Sequence, residues 1–97
     1  MINLKVGDNV YFKVSEGSVF KGLILKVGPN YEPDKRLVTV KWFDFELGFS
    51  NPLNVYNDLD INLNYISDKV SDLNNPKVSW VVATSENHKE LRLAMIQ

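Results

Sequence analysis

Residues 36–56 read RLVTVKWFDFELGFSNPLNVY. The stretch opens with the alternation of a strand, Val38, Val40 and Trp42 in step, and then moves its apolar positions to Phe43, Phe45 and Leu47. Side chains of a strand alternate between two faces, so a slip of one residue sends the later set to the opposite side. The shift predicts a bulge or turn near Phe43–Asp44. Trp42 then lies inside a core or at its rim, and Phe43 and Phe45 turn outward. Aromatic residues dominate small cores because each buries a large apolar area. The crowd of Trp42, Phe43, Phe45 and Phe49 therefore reads either as packing or as a surface that holds a ligand.

The flanking segments have the same period of two. In KVGDNVYFKV (5–14), Val10, Phe12 and Val14 share one face, Tyr11 and Lys13 the other, and Gly7-Asp8 supplies turn chemistry before them. SEGS (15–18) is a polar turn. VFKGLILKV (19–27) is a second strand with Val19, Leu23, Leu25 and Val27 on one face and Phe20, Gly22 and Ile24 on the other. Apolar residues on both faces imply a bent strand, with Gly22 allowing close approach or a bulge. GPNYEPDK (28–35), with two prolines and a glycine, reads as a loop, and PLNVYNDL (52–59) as a tight connection.

Beyond that point the pattern is mixed. LDINLNYI (59–66) alternates, Ile66, Val70 and Leu73 have helical spacing that stops at Asn74-Asn75-Pro76, and KVSWVVAT (77–84) is a strand with Trp80 in the core. Alternation of Leu91, Leu93 and Met95 favours a hairpin partner for 77–84 through the SENHK loop. The alternative is a final helix capped by Ser85.

The 97 residues suit one domain with one modest core. There is no apolar run of membrane-spanning length and no leader-like start, which predicts a cytoplasmic protein without a membrane partner. The absence of cysteine excludes disulfides and thiolate chemistry and fits a reducing compartment. The net charge of −1 is unevenly spread: residues 1–43 carry seven Lys/Arg against four acids, residues 44–97 four against eight. Eleven asparagines hint at an AT-rich genome.

Three pieces carry a resemblance: Val6-Gly7-Asp8-x-Val10, Phe20-x-Gly22-x-Ile24-x-x-Val27 and Val38-x-Val40-x-Trp42-x-x-Phe45. With them, the first 58 residues resemble small SH3-like barrels of the Tudor and KOW kind, and the opening is similar to that of some small phage proteins. The resemblance implies a mainly β fold with a barrel at 1–58; residues 59–97 match no such pattern and are expected as a C-terminal extension, ending in a hairpin, that packs on or continues the barrel. In Tudor domains an aromatic cage grips a methylated cation through several π faces. By position, Phe20, Trp42 and Phe45 stand where three cage aromatics do. Val14 stands at the fourth, and Glu46-Leu47 replaces the Gly-Asn that usually follows. KOW domains bind RNA or proteins of the ribosome and polymerase, and the shared feature is the basic, glycine-containing strand pair from Lys13 to Lys26.

Candidate contact residues are therefore Phe20, Trp42, Phe43 and Phe45 on an aromatic rim, and Tyr11, Lys13, Lys21 and Lys41 on a basic, aromatic strand face. Stacking on such a face supplies roughly 1–3 kcal/mol per base. An ordinary solvated sheet face explains the same lysines. His88 has no second histidine or nucleophile beside it and reads as a loop residue. Asp58/Asp60 and Asp68/Asp72 lack the ligand series of a calcium loop. Nothing resembles a phosphate-cradling loop or a serine elbow, so no catalytic, metal or cofactor residue is assigned. The expectation is a non-enzymatic module that binds a protein through its aromatic rim, its acidic second half engaging a basic partner. The alternative is a nucleic-acid-binding accessory protein. No feature selects an oligomeric state.

Overall fold

The computed structural model describes residues 2–13, 17, 19–43 and 52–96. Strands β1 (Asn9–Lys13), β2 (Val19–Glu32), β3 (Lys35–Phe43) and β4 (Pro52–Asn62) follow one another as an antiparallel meander. Two short strands, β5 (Ile66–Ser67) and β6 (Trp80–Val82), complete one six-stranded sheet in the order β4-β3-β2-β1-β6-β5. A 3-10 turn at Leu63–Tyr65 and a 3-10 helix at Val70–Asn74 flank β5, and the only helix longer than these among the described residues is α1 (His88–Ile96). The protein is thus mainly β. β4 and β5 are the two edges of the sheet, which does not close. Strand β4 runs across position 58, and β6 pairs with β1 through Val10–Val82 and Tyr11–Val81, so β5 and β6 join the same sheet as the meander.

The inner face collects Leu4, Val10, Ile24, Val38, Val40, Trp42, Leu63, Ile66, Trp80 and Val82, all buried. Leu59 and Ile61 from one edge strand and Ile66 from the other reach this cluster, so the sheet curls around its inner face. Each such side chain contributes about 1.5–3 kcal/mol when removed from water. The expected inward set Val38, Val40 and Trp42 and the core position of Trp80 are found there.

Gly22 sits opposite both Val10 and Trp42. A Cβ there would stand 2.7 Å from the Trp42 ring and 2.9 Å from Val40, so glycine makes room for the indole to lie across β2. The bulge in β2 falls later, between Ile24 and Lys26. It changes which face the following residues meet: Leu25 is left exposed and Val27 packs on the same inner cluster as Ile24. Val19, Leu23, Leu25 and Val27 therefore do not share a face, contrary to the simple alternation.

Two segments expected as connections are strand. β2 continues through Gly28–Glu32 and turns only at Pro33–Asp34, with register shifts between Val27 and Asn30 and between Asn30 and Glu32. Pro29 is tolerated because it falls in a shifted part of the ladder. Residues 52–59 belong to β4, an edge strand interrupted by a bulge where three steps from Tyr56 to Leu59 oppose two from Val40 to Val38. Asp58 takes the left-handed conformation there, at φ 54°. The first strand is preceded by a turn where Gly7-Asp8 indicates it: Gly7, at φ 93°, closes the Lys5–Asp8 turn, and Asp8 N donates to Lys5 O.

The C-terminal hairpin is not formed; residues 88–96 are helix α1. Thr84 and Asn87 make a reciprocal cap. Asn87 N donates to Thr84 Oγ1 at 3.1 Å and Thr84 N donates to Asn87 Oδ1 at 2.7 Å. Asn87, Leu91 and Ala94 then line the packed side at helical spacing, whereas Leu93, 61% exposed, faces water. Leu91 and Leu93, in step by a period of two, therefore do not share a packed face. His88 opens α1 instead of sitting in a loop, and its Nδ1 donates to the Thr84 and Ser85 carbonyls at 3.2 and 3.0 Å.

Candidate functional site

Seven of the eight sequence-indicated residues are described, and they separate into four environments. Phe20 and Trp42 belong to the inner face. Phe12 stacks on Phe20 with centroids 5.3 Å apart and meets Trp42 edge-on at 4.9 Å. Trp42 in turn meets Trp80 at 5.3 Å. A caged cation needs several ring faces within about 6 Å of itself. Here Phe12 and Phe20 occupy each other's faces at contact distance. The described rings form a packed ladder, with Phe20 half-buried at its end. Phe45 and Val14, the other expected cage positions, lie outside the described residues.

Tyr11 occupies the outer face, as alternation requires, but is buried there with Val19, Val81 and Leu91 under α1 and the 3-10 helix. Loss of water raises its phenol pKa above the usual 10.0, an effect that the nearby Arg92 cation partly opposes. It does not share an open surface with the lysines.

Lys21, Lys41 and Phe43 do come together. Lys21 is the cross-strand neighbour of both Tyr11 and Phe43, and Lys41 is that of Leu23 and Val55. The register gathers them on the uncovered part of the outer face, with the Lys41 ammonium 5.7 Å from the Phe43 ring centroid. Leu23 is half-buried and Val55 is 48% exposed, so the patch interleaves cations with apolar side chains. Alternation alone does not mark either of these: β2 has apolar residues on both faces, and Val55 lies in a segment that reads as a connection.

Lys13 is exposed at the far end of β1, where its ammonium donates to Asn74 Oδ1 at 3.0 Å. This bond spans the mouth of a cleft of about 570 Å³. The cleft opens beyond the last β1–β6 pair and is lined by Tyr11, Phe12, Leu73, Val78 and Trp80, with Asn74 and Asp72 among its polar groups. Asp72 is engaged by the Ser67 hydroxyl and the Asn75 amide. No sequence pattern marked this cleft, because Asn74-Asn75-Pro76 registers only as a helix stop.

Among the described residues no three His, Asp or Glu side chains gather to hold a metal ion. No helix among them is long and apolar enough to cross a membrane. No protein-family model, curated protein or solved structure matches the chain.

Proposed function

We propose that the protein is a non-enzymatic binding module of the small SH3-like barrel kind, working in the cytoplasm, that docks a protein partner on the outer face of β2, β3 and β4. Support for the barrel reading comes from the four-strand meander, the inner core it curls around, and the later strand β6 added to the free side of β1. Zero cysteines suit a reducing compartment.

The observation that carries the docking surface is the patch of Leu23, Phe43 and Val55 interleaved with Lys21 and Lys41. Apolar side chains left in water and bordered by charge mark interaction surfaces. Two lysines at its centre suit an acidic partner and steer its approach. The test is capture of a partner followed by Phe43→Ala. Because Phe43 is only half-buried, its removal leaves the melting temperature nearly unchanged and weakens binding by about tenfold or more. Undiminished binding by a folded Phe43→Ala protein overturns the assignment.

A second reading rests on charge. Register places Lys13, Lys21, Lys26 and Lys41 on the outer face, a basic set suited to a phosphate backbone. Amide shifts recorded with short single-stranded and duplex nucleic acids, at low and near-physiological salt, separate the two. Salt-sensitive shifts clustered on these lysines favour nucleic acid; a silent spectrum from folded protein removes it.

A further inference from the structure

We propose that the cleft between the end of β1 and residues 72–81 receives the carboxyl terminus of a polypeptide ending in a large apolar residue. It is a second site, distinct from the Lys21–Phe43 patch and independent of what that patch binds.

Three features define the ligand. The volume, about 570 Å³, is that of a site for one small ligand or a chain end, and its walls come from both core layers: Phe12 and Trp80 from the inner one, Tyr11, Leu73 and Val78 from the outer. Such walls take an apolar side chain. At the mouth stands one cation. Lys13 has no carboxylate partner among the described residues, and its bond to Asn74 uses one of the three protons an ammonium carries. Asn74, which holds that ammonium through its amide oxygen, also lines the cleft. One ammonium and one amide suit a single negative charge. A phosphate dianion would need more cations, and Asp72 at the wall opposes two negative charges more strongly than one.

The strand edge makes the ligand a chain end and not a free acid. β1 pairs with β2 as far as Lys13, but with β6 only at Val10 and Tyr11. Ala83 N donates to Asn9 O, which shows that Asn9 turns its backbone groups toward β6. Those groups alternate along a strand, so Tyr11 and Lys13 do the same. Past Tyr11 no strand among the described residues pairs on that side, and Lys13 lines the cleft. An extended peptide can bond to the Lys13 backbone there while its last side chain enters the apolar floor and its carboxylate meets Lys13.

The test is an amide and indole shift titration of the whole protein with an acetylated hexapeptide ending in phenylalanine. The probe is compared with its C-terminal amide, with N-acetylphenylalanine and with a mononucleotide. Shifts confined to Lys13, Leu73, Asn74, Val78 and the Trp80 indole are expected. Amidation of the peptide, or Lys13→Met in the protein, should each weaken binding by about tenfold or more, since a charge-assisted hydrogen bond is lost. Phe43→Ala should leave the titration unchanged, which keeps a failure here separate from a failure of the outer-face reading. Equal binding of acid and amide, equal binding of N-acetylphenylalanine, preference for the mononucleotide, or no shifts at all each overturns the proposal.

Discussion

The meander β1–β4 and the segment from Leu63 to Ile96 belong to one sheet but are organised by different forces. In the meander, backbone ladders run between neighbours in sequence, and apolar side chains fill the inner face in cross-strand rows such as Val10, Gly22 and Trp42. The later segment has two short strands and two 3-10 elements, and short polar side chains tie its backbone together. Asn62 caps the first turn through Asn64 N, Ser67 Oγ accepts from Lys69 N, and Asn75 Oδ1 accepts from Lys77 N. Thr84 and Asn87 cap each other before α1. The inner face of the first region is sensitive to side-chain volume, and the second region is sensitive also to its short polar side chains.

Asn87→Ala breaks the second region most severely. The Asn87 side chain is buried and joins three places: its Nδ2 donates to Asp68 O at 2.7 Å and to Val82 O at 2.9 Å, and its Oδ1 accepts from Thr84 N. Truncation leaves these backbone groups without partners. Each buried orphan costs about 1–3 kcal/mol, so a loss of about 3 kcal/mol is expected in urea unfolding. Hydrogen exchange sharpens the contrast. If the regions are separately held, α1 and β6 amides lose protection while Ile24 and Val40 keep theirs. Uniform loss of protection would instead show one cooperative unit, and the contrast would then be one of chemistry only.

Gly22→Ala is the matching test of the first region and has a smaller effect. The added methyl meets the Trp42 ring at 2.7 Å and Val40 at 2.9 Å, both in the core, so one of them must move. Overpacking of this kind costs about 1–3 kcal/mol. The near-ultraviolet signal of Trp42 and the shift of its neighbour Trp80 should change with it. A variant as stable as the parent would mean that the indole has free space to shift into, and that close approach is not why glycine stands there.

These two positions also show how much was legible in advance. Gly22 was readable because its neighbours alternate and a strand glycine implies close approach or a bulge. The inward row Val38, Val40 and Trp42 was readable for the same reason. Asn87 was not, because an asparagine in a polar run carries no period. Its role depends on the carbonyls of Asp68 and Val82, distant in sequence and brought near only by the fold. Bulges hid more: the step between Ile24 and Lys26 moved Val27 inward and exposed Leu25, and no local pattern announces such a step. Of the site, alternation puts Lys41 and Phe43 on one face of β3, but only the β2–β3 register brings Lys21 beside them. The burial of Tyr11 does not, because its cover, Leu91, lies on a helix that reads locally as a strand.

Tyr11 gives the finest test, since it lies where the two regions meet. Its ring is buried between the outer face of β1 and the later segment, and its phenol pKa is raised above the ordinary 10.0 by loss of water, with Arg92 opposing. In the unfolded chain the phenol ionises near its ordinary value, whereas in the folded protein it holds its proton to higher pH. Stability from this group is therefore full below about pH 10 and is lost as pH rises through the higher folded value. Tyr11→Phe removes the ionisation but keeps the ring. The variant should match the parent in urea midpoint near neutrality and lose less stability above pH 10, while lysine deprotonation affects both alike. Parallel losses in the two proteins would mean that the hydroxyl reaches water, and that the cover over the outer face is looser than the burial of Tyr11 implies.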